Sequence, residues 1–230
     1  MLGPWQSNTT GSPTMTAHTA SGTTMVSRCS FLVGSRAGRP CDAFPVPDPP
    51  LSDGVVSLRP LKPLDAVAIA EACRDPLIPR FTFMAENLTP NRATAWIARR
   101  NEQWERGELA GFAITEGVDD RQLVGTIGLG VNVQRVSGEV FYWISSHARR
   151  RGSAVRAVRL ISAWAFDDLA LERLEILTHP ENEASQRVAV AGGYRYEGTL
   201  RSHQPFKGSR MDSVLFSLIP ADLGERSNGP

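Results

Sequence analysis

The segment that most constrains the fold is a strand–helix–strand succession between residues 138 and 178. Residues 138–145 form a strand candidate, and 174–178 form a second short apolar run. Between them, residues 153–169 place five apolar side chains on one face at helical spacing: Val155, Val158, Ile161, Ala165 and Leu169. Because a helix joins the two strands, the sequence predicts that they are parallel and connected by a right-handed crossover.

The flanking elements predict a mixed α/β (α+β) domain. Upstream, a β-like run at 55–60 precedes helices predicted over 65–73 and 89–106, with Asp65 and Thr89-Pro90 as start signals. Strand candidates at 111–115, 123–133 and 138–145 are separated by turn residues, which favours an antiparallel meander. Downstream, a helix over 182–191 ends at Gly192-Gly193 and is followed by strands at 194–200 and 212–218.

Composition divides the chain into parts. Half of residues 1–50 are Gly, Ser, Thr or Pro, and only five are charged. This composition predicts a disordered extension over 1–50, followed by one folded domain over 51–223 and a flexible tail over 224–230. No apolar stretch approaches the ~18 residues that a membrane-spanning helix needs.

Charge and cysteine usage narrow the partners and the compartment. The formal net charge is +1, and residues 51–230 hold 22 basic and 22 acidic side chains, so we expect neither a nucleic-acid nor a membrane partner. The three cysteines show no Cys-x-x-Cys spacing, which fits a reducing compartment. Because the first residues lack a basic region followed by an apolar core, we expect a cytoplasmic protein.

The segment after the first strand of the parallel pair is the strongest chemical signal. It reads Arg149-Arg150-Arg151-Gly152-Ser153-Ala154 and opens the long helix. The first turn of a helix offers unpaired backbone amides and a favourable potential for an anion, and Gly152 allows a ligand close approach. These features predict a pyrophosphate site. The alternative is a glycine that merely relieves the turn beside solvated arginines. Neither a Walker loop nor a Gly-x-Gly-x-x-Gly fingerprint is present.

Several motifs in a fixed order show that residues 51–223 resemble the GNAT superfamily of acyl-CoA-dependent acyltransferases, and most closely its ribosomal-protein N-terminal acetyltransferase branch. The loop resembles that family's Gln/Arg-x-x-Gly-x-Gly/Ala pattern. In that branch the loop usually reads Arg-Gly-x-Gly, and Arg150 here replaces the first glycine, which predicts a stiffer loop. The other matching segments are Leu58-Arg59-Pro60, Asp75-Pro76, 124–128, 139–143, 180–185, 193–201 and 208–216.

The resemblance implies a GNAT fold, with a mixed, mostly antiparallel sheet whose central parallel strand pair is splayed and which helices flank. It implies an N-acetyltransferase, monomeric or homodimeric, that transfers acetyl from acetyl-CoA to a primary amine by direct attack on the thioester. The acceptor is either a protein N-terminus or a small-molecule amine. The implied cofactor-binding residues are Trp143, Ile144 and Ser145 at the acyl carbonyl, Arg149, Arg150, Arg151, Gly152, Ser153 and Ala154 at the pyrophosphate, and Asn182 on the cofactor arm.

Two residues are candidates for catalysis. By resemblance, Ser185 donates a proton to the departing CoA thiolate, and water is the alternative donor. Glu139 is the candidate general base, since alternation along a strand puts it on the same face as Phe141 and Trp143. A surface ion pair is the alternative for Glu139, and an N-cap is the alternative or additional role for Asn182.

The remaining expectations concern the acceptor, metals and the competing function. Segments 80–84 and 203–206 are the candidates for selecting the acceptor. His147, His179 and His203 do not match a metal-ligand spacing, and we expect no metal. The competing function is a module of the same fold that binds acyl-CoA as a sensor without turnover.

Overall fold

The structure is a computed structural model that describes residues 43–117 and 122–224. Its strands are β1 (Leu51–Ser52), β2 (Val56–Pro60), β3 (Leu109–Glu116), β4 (Leu123–Asn132), β5 (Ser137–Ile144), β6 (Arg173–Thr178), β7 (Arg195–Phe206) and β8 (Ser209–Leu218). Its α-helices are α1 (Ala66–Ala72), α2 (Leu77–Phe81), α3 (Pro90–Glu105), α4 (Ser153–Asp167), α5 (Glu183–Gly192) and α6 (Pro220–Gly224).

The strands of the described residues form one mixed sheet in the order β1-β2-β3-β4-β5-β6-β8-β7. Within the described ranges, every neighbouring pair is antiparallel except β5 and β6, which are parallel. The crossover helix between those two strands is α4, so the parallel pair and the β3–β4–β5 meander expected from the sequence are both confirmed.

The sheet separates two apolar cores. The core under α4 and α5 includes Val140, Ile161 and Ala189, all of them buried. The core under α1 and α3 includes Ile97 and Trp143. Because successive strand residues point to opposite faces, β5 directs Val140 toward α4 and Trp143 toward α3. This strand therefore reaches both sides of the molecule.

The beginning of the folded unit differs from the sequence-based boundary at residue 51. Phe44 is only 3% exposed, and its carbonyl accepts a hydrogen bond from Trp104 Nε1 at 2.9 Å. Its ring packs edge-on against Trp104 and Trp164 at centroid distances of 6.3 Å. The predicted boundary at residue 51 is therefore wrong in one respect: Phe44, an aromatic residue within the proline-rich run before it, packs in the core. The predicted extension up to residue 42 and tail residues 225–230 lie outside the described residues.

The helix starts and stops follow local sequence signals. Asn182 caps α5, since its Oδ1 accepts a hydrogen bond from the Ser185 amide at 3.2 Å, and Gly193 follows the helix with φ of +100°. The sequence missed α2, a short helix after Asp75-Pro76. It also made β7 and β8 too short, because they continue into a hairpin whose turn is Lys207-Gly208, both with positive φ.

Candidate active site

The sheet opens between β5 and β6. The two strands pair only where Ser137 to Glu139 lie opposite Arg173 to Glu175. Each strand then continues unpaired with the other, β5 to Ile144 and β6 to Thr178. The parallel pair is therefore splayed, as expected, and a gap lies between its carboxyl-terminal halves.

The β4–β5 ladder identifies which β5 amides face this gap. Ser145 donates its amide to the Val124 carbonyl, on the β4 side, at 2.8 Å. Backbone amides alternate in direction along a strand, so Trp143 also points toward β4, whereas Ile144 points toward the gap. Of the three residues predicted at the acyl carbonyl, Ile144 is thus the one whose amide is directed at the space between the strands.

Glu139 ends the paired part of β5, directly opposite Glu175 on β6. Water reaches its side chain, yet the crowding protein removes part of the solvation of the carboxylate. This desolvation raises the pKa of Glu139, and the nearby charge of Glu175 raises it further. Among the described residues, Glu139 has no ion-pair partner, whereas Glu175 pairs with Arg173 at 2.9 Å. The geometry therefore disfavours the ion-pair interpretation of Glu139.

The turn into α4 is open where a ligand would approach. Gly152 is the residue before the helix, and its φ of +83° lies in the left-handed region. A Cβ atom added there would meet no atom within 4 Å, so the backbone of this turn borders open space. Ser153 is buried and donates its hydroxyl to Glu116 Oε1 at 2.5 Å, which fixes the first turn of α4 against β3.

The three consecutive arginines do not form one cluster of unpaired charges. Arg149 lies 2.5 Å from Asp75 Oδ2 and donates from Nε to the Ile144 carbonyl at 3.2 Å. Arg151 pairs with Glu116 at 3.4 Å. Within the described part of the chain, only Arg150 of the three has no carboxylate partner. The carboxylates come from distant parts of the sequence, so the run of arginines could not reveal them.

Arg150 also has a positive φ, +63°. This conformation costs a residue with a Cβ roughly 1–2 kcal/mol and favours glycine. In the ribosomal-protein N-terminal acetyltransferase branch that this chain resembles, the position of Arg150 is usually occupied by the first glycine of the Arg-Gly-x-Gly loop. The loop therefore keeps the left-handed backbone conformation that glycine would adopt, although the residue here is arginine.

The start of α5 is tied to β5 across the gap. Ser185 Oγ lies 2.8 Å from Tyr142 Oη, and Tyr142 Oη also donates to the Ser185 carbonyl at 3.2 Å. Burial raises the pKa of Tyr142 to about 12, so the phenol stays protonated at neutral pH. The sequence reasoning missed Tyr142, although alternation placed it on the face opposite Glu139. Asn182 is the N-cap of α5, which confirms one of the two roles predicted for it.

The two segments expected to select the acceptor are brought together. Phe83, after α2, packs edge-on against Phe206 of the β7–β8 hairpin at 5.1 Å. Arg80 pairs with Glu181 at 2.7 Å, and Lys207 Nζ donates to the Pro79 carbonyl. These contacts connect the α1–α2–α3 side of the molecule to the β6–β8 side.

The described histidines do not form a cluster. His179 Nδ1 accepts from the Glu181 amide at 3.1 Å, and His203 Nδ1 lies 3.1 Å from Ser213 Oγ. In the part of the chain that the structure covers, no group of three or more His, Cys, Asp or Glu side chains is arranged to hold a metal ion. Over the same ranges, no helix has both the length and the apolar character needed to cross a membrane.

Comparison with known proteins agrees with this geometry. Residues 56–195 match the acetyltransferase (GNAT) domain family. The match spans more than half of the chain, which therefore belongs to the GNAT family of acyl-CoA-dependent N-acetyltransferases.

Within that family, the chain is similar to ribosomal-protein acetyltransferases. It is 29% identical over 173 residues to YdaF of Bacillus subtilis, whose name assigns it to the ribosomal N-acetyltransferases, and the alignment covers 71% of this chain and 91% of YdaF. RimJ of Mycobacterium smegmatis, solved with a CoA-disulfide, gives a TM-score of 0.67 at 24% identity, covering 74% of this chain and 84% of RimJ.

A second solved structure extends the likeness in fold. The microcin C7 self-immunity acetyltransferase MccE, solved with acetyl-CoA and AMP, gives a TM-score of 0.65 at 14% identity. The superposition covers 75% of this chain and 99% of MccE. At such identities the shared property is the open mixed sheet with one parallel pair.

Proposed function

We propose that this chain transfers the acetyl group of acetyl-CoA to a primary amine, either a protein N-terminus or a small-molecule amine. The amine attacks the thioester directly. The observation that carries the proposal is the opening between β5 and β6, toward which the Ile144 amide points. An amide fixed on a strand can stabilise the negative charge that develops on the carbonyl oxygen, and losing one such donor typically costs ~10²–10³ in rate.

The residues that would hold acetyl-CoA follow β5 and the turn after it. Trp143 and Ser145 hold Ile144 in place because their amides face β4. The first-turn amides of α4, at Gly152, Ser153 and Ala154, would bind the pyrophosphate in the open space beside Gly152, and the helix dipole favours an anion there. Arg150 supplies the nearby charge without a described carboxylate partner. Arg149 and Arg151 shape the turn through Asp75 and Glu116, and Asn182 borders the other wall at the start of α5.

Glu139 is the proposed general base. Its raised pKa makes it a stronger base than an ordinary carboxylate. Five strand residues, about 17 Å, separate Glu139 from Ile144, so Glu139 accepts a proton from the acceptor ammonium through a chain of waters. The nitrogen lone pair then forms a bond to the carbonyl carbon. When the carbon–sulfur bond breaks, the departing thiolate takes up a proton. The second proton that the nitrogen must lose passes through water and restores the group that protonated the thiolate.

Ser185 is the proposed donor of the proton that the thiolate takes up. The single hydrogen of the Tyr142 phenol has two acceptors, the Ser185 carbonyl and Ser185 Oγ. When the phenol donates to Oγ, the serine hydroxyl hydrogen is available for the thiolate. Because the pKa of Tyr142 is raised to about 12, it keeps its own proton and acts by orienting Ser185. Tyr142 is therefore a positioning residue in this proposal.

Thiol release tests the reaction. The full chain is incubated with acetyl-CoA and a panel of peptides and small amines, and mass spectrometry identifies the acetylated product. We expect acceptor-dependent thiol release with matching product. Tight binding of acetyl-CoA without thiol release for any acceptor, and without an acetylated protein, would instead support a sensor module of the same fold.

Three coarser proposals accompany this function. The folded acetyltransferase unit corresponds to residues 51–223 together with the Phe44 anchor, as the packing of Phe44 against Trp104 supports. A neutral charge balance supports activity without nucleic acid or membrane partners. The ribosomal N-acetyltransferase name of the relative YdaF supports a cytoplasmic location and a ribosomal-protein acceptor.

A further inference from the structure

Arg100 on α3 differs from the other arginines that are withdrawn from solvent. Among the described arginines that are not fully exposed, every other one pairs with a carboxylate, at distances of 2.5–2.9 Å: Arg59 with Asp65, Arg149 with Asp75, Arg156 with Asp53, and Arg173 with Glu175 and Glu197. Arg100 has no described carboxylate partner. A partly buried cation normally requires such a partner, so its absence calls for an explanation.

The surroundings of Arg100 are aromatic. Its Cζ lies 5.1 Å from the ring centroid of Trp96 and 5.5 Å from that of Phe141. Nη1 donates to Gln103 Oε1 at 3.0 Å, and Nε is buried without a hydrogen-bond partner among the described residues. Burial lowers the pKa of Arg100 to about 10, which leaves it charged at neutral pH. The rings partly compensate for the lost solvation by cation–π attraction.

Two glycines allow Arg100 to lie close to the sheet. A Cβ at Gly128 would come within 2.4 Å of Phe141 Cζ, so glycine is needed for the Phe141 ring to cover β4. Gly111 lies on β3 opposite Gly128, and a Cβ there would contact Arg100 Cβ at 3.7 Å. Arg100 therefore packs on the same face of the sheet as Phe141, two residues along β5 from Glu139.

We propose that Arg100 binds an anionic group of the acceptor, a carboxylate or a phosphate, while the acceptor amine lies at the acetyl carbonyl beside the Ile144 amide. This inference rests on the proposed function, since it takes the Ile144 amide as the position of the carbonyl that the amine attacks. Arg100 lies at Phe141, and three strand residues from Phe141 to Ile144 span about 10 Å, which is longer than the separation of amine and carboxylate in a free α-amino acid. The acceptor class is thus an amine whose anion lies further along the molecule. A peptide with an acidic side chain next to its N-terminal residue fits, as does a long-chain amino acid.

Matched acceptors that differ only in charge test this inference. One arm compares peptides beginning Ser-Glu and Ser-Gln, and the other compares 6-aminohexanoate with its amide, so the two arms distinguish a peptide from a small-molecule source. Each pair is measured with the unmodified chain, with Arg100→Gln, with Arg100→Lys, and with Arg99→Gln, an exposed neighbour that serves as the control. The readouts are kcat/KM by thiol release, the Kd for the same acceptors in the presence of CoA, and Tm.

We expect the unmodified chain to prefer the acidic member of at least one pair by roughly 10-fold, the size of a charge-assisted hydrogen bond. Arg99→Gln should keep this ratio, Arg100→Gln should reduce it to about 1, and Arg100→Lys should keep part of it. If Arg100→Gln lowers Tm too far for assay, the inference is tested by the ratio of kcat/KM for the acidic and neutral acceptors in the unmodified chain and in Arg100→Lys.

The outcomes separate this inference from the proposed function. Acetylation without any preference for the acidic acceptors, or with a preference that survives in Arg100→Gln, overturns the Arg100 subsite and leaves the acetyltransfer intact. Charge-selective binding that Arg100→Gln removes, without acetylation, supports the subsite and overturns the proposed reaction. If the chain shows no acetylation and no charge-selective binding, both the Arg100 subsite and the proposed reaction are overturned.

Discussion

The two faces of β5 differ in how well their polar groups are satisfied. On the face toward α4 and α5, Tyr142 is hydrogen-bonded to Ser185, and the buried hydroxyl of Tyr194 lies 2.8 Å from Ser162 Oγ. The exception on this side is Thr178 Oγ1 of β6, which is buried without a hydrogen-bond partner among the described residues. On the face toward α3, the carboxylate of Glu139 has no described ion-pair partner. Trp143 Nε1 and Arg100 Nε on this face are buried without a hydrogen-bond partner among the described residues.

This difference indicates that the two faces of β5 have different roles, one in supporting acetyl-CoA and the other in binding the acceptor. Most buried polar groups in folded proteins are hydrogen-bonded, so a cluster of exceptions requires an explanation. The face toward α4 and α5 supports the wall that would hold acetyl-CoA, and the face toward α3 is where a bound acceptor would lie near Glu139 and Arg100.

The largest effect is expected at Glu139. Glu139→Gln should lower kcat/KM by ~10²–10⁴, because the general base is lost while the shape is kept. The raised pKa also means that ionised Glu139 destabilises the folded state. Its stabilising contribution is present below the unfolded-state pKa of ~4.3 and is lost as pH rises through the higher folded-state pKa. Glu139→Gln should therefore raise Tm at pH 7 but not below about pH 4.

The turn before α4 should give the next largest effect. Gly152→Glu places a carboxylate where the pyrophosphate would bind, and such like-charge contacts cost several kcal/mol, so we expect the Kd for acetyl-CoA to rise at least ~100-fold. Calorimetric titration measures this directly. Gly54→Glu is the matched control, since Gly54 has a similar φ of +84° and equally open surroundings. Undiminished binding by Gly152→Glu would refute the pyrophosphate assignment.

The Tyr142–Ser185 pair should contribute a smaller factor. Ser185→Ala is expected to lower kcat by about 10-fold, because water can replace the serine, and Tyr142→Phe by less. If Tyr142 acts through Ser185, the double variant should resemble Ser185→Ala alone. The loss should also shrink with an acetyl thioester whose thiol is more acidic, since that leaving group needs less help. If the losses in kcat of the two single variants add in the double variant and do not depend on the acidity of the thiol, Tyr142 and Ser185 have a purely structural role.

Glu175→Gln should shift the pH dependence rather than abolish activity. Removing the negative charge opposite Glu139 favours ionisation of Glu139, so its pKa should fall. The acidic limb of the kcat/KM profile should then move to lower pH. Glu105→Gln, an exposed change on α3, should leave the limb in place. A limb that stays in place in Glu175→Gln would mean that another group is the base.

The smallest effect is expected at Arg150. Arg150→Gly should relieve the left-handed strain, offset by the extra freedom of glycine in the unfolded chain, for a net gain of up to ~1 kcal/mol in unfolding free energy. Denaturant titration measures this change. The same variant should weaken acetyl-CoA binding slightly through the lost charge. Marked destabilisation would show that the Arg150 side chain holds the loop.

The site was partly predictable. Residues 149–154, Asn182 and the Glu139 face of β5 follow from local patterns, because caps, helix starts and strand alternation depend on neighbouring residues. Arg149 and Arg151 looked like unpaired cations, since Asp75 and Glu116 lie far away in the sequence. Tyr142 and Arg100 were missed for the same reason: only packing shows what each side chain touches.

The sequence by itself determined the order of the longer helices and strands, without the short elements β1, α2 and α6. It also determined the parallel pair joined by α4 and the family of the chain. These follow from short-range periodicity and from motifs that are read along the chain. The tertiary structure alone decided that Phe44 belongs to the core, that the Ile144 amide points toward the gap and that Arg100 lacks a described carboxylate. Each of these depends on where a ladder ends or on which distant residue arrives as a neighbour, and such contacts exist only once the chain has folded.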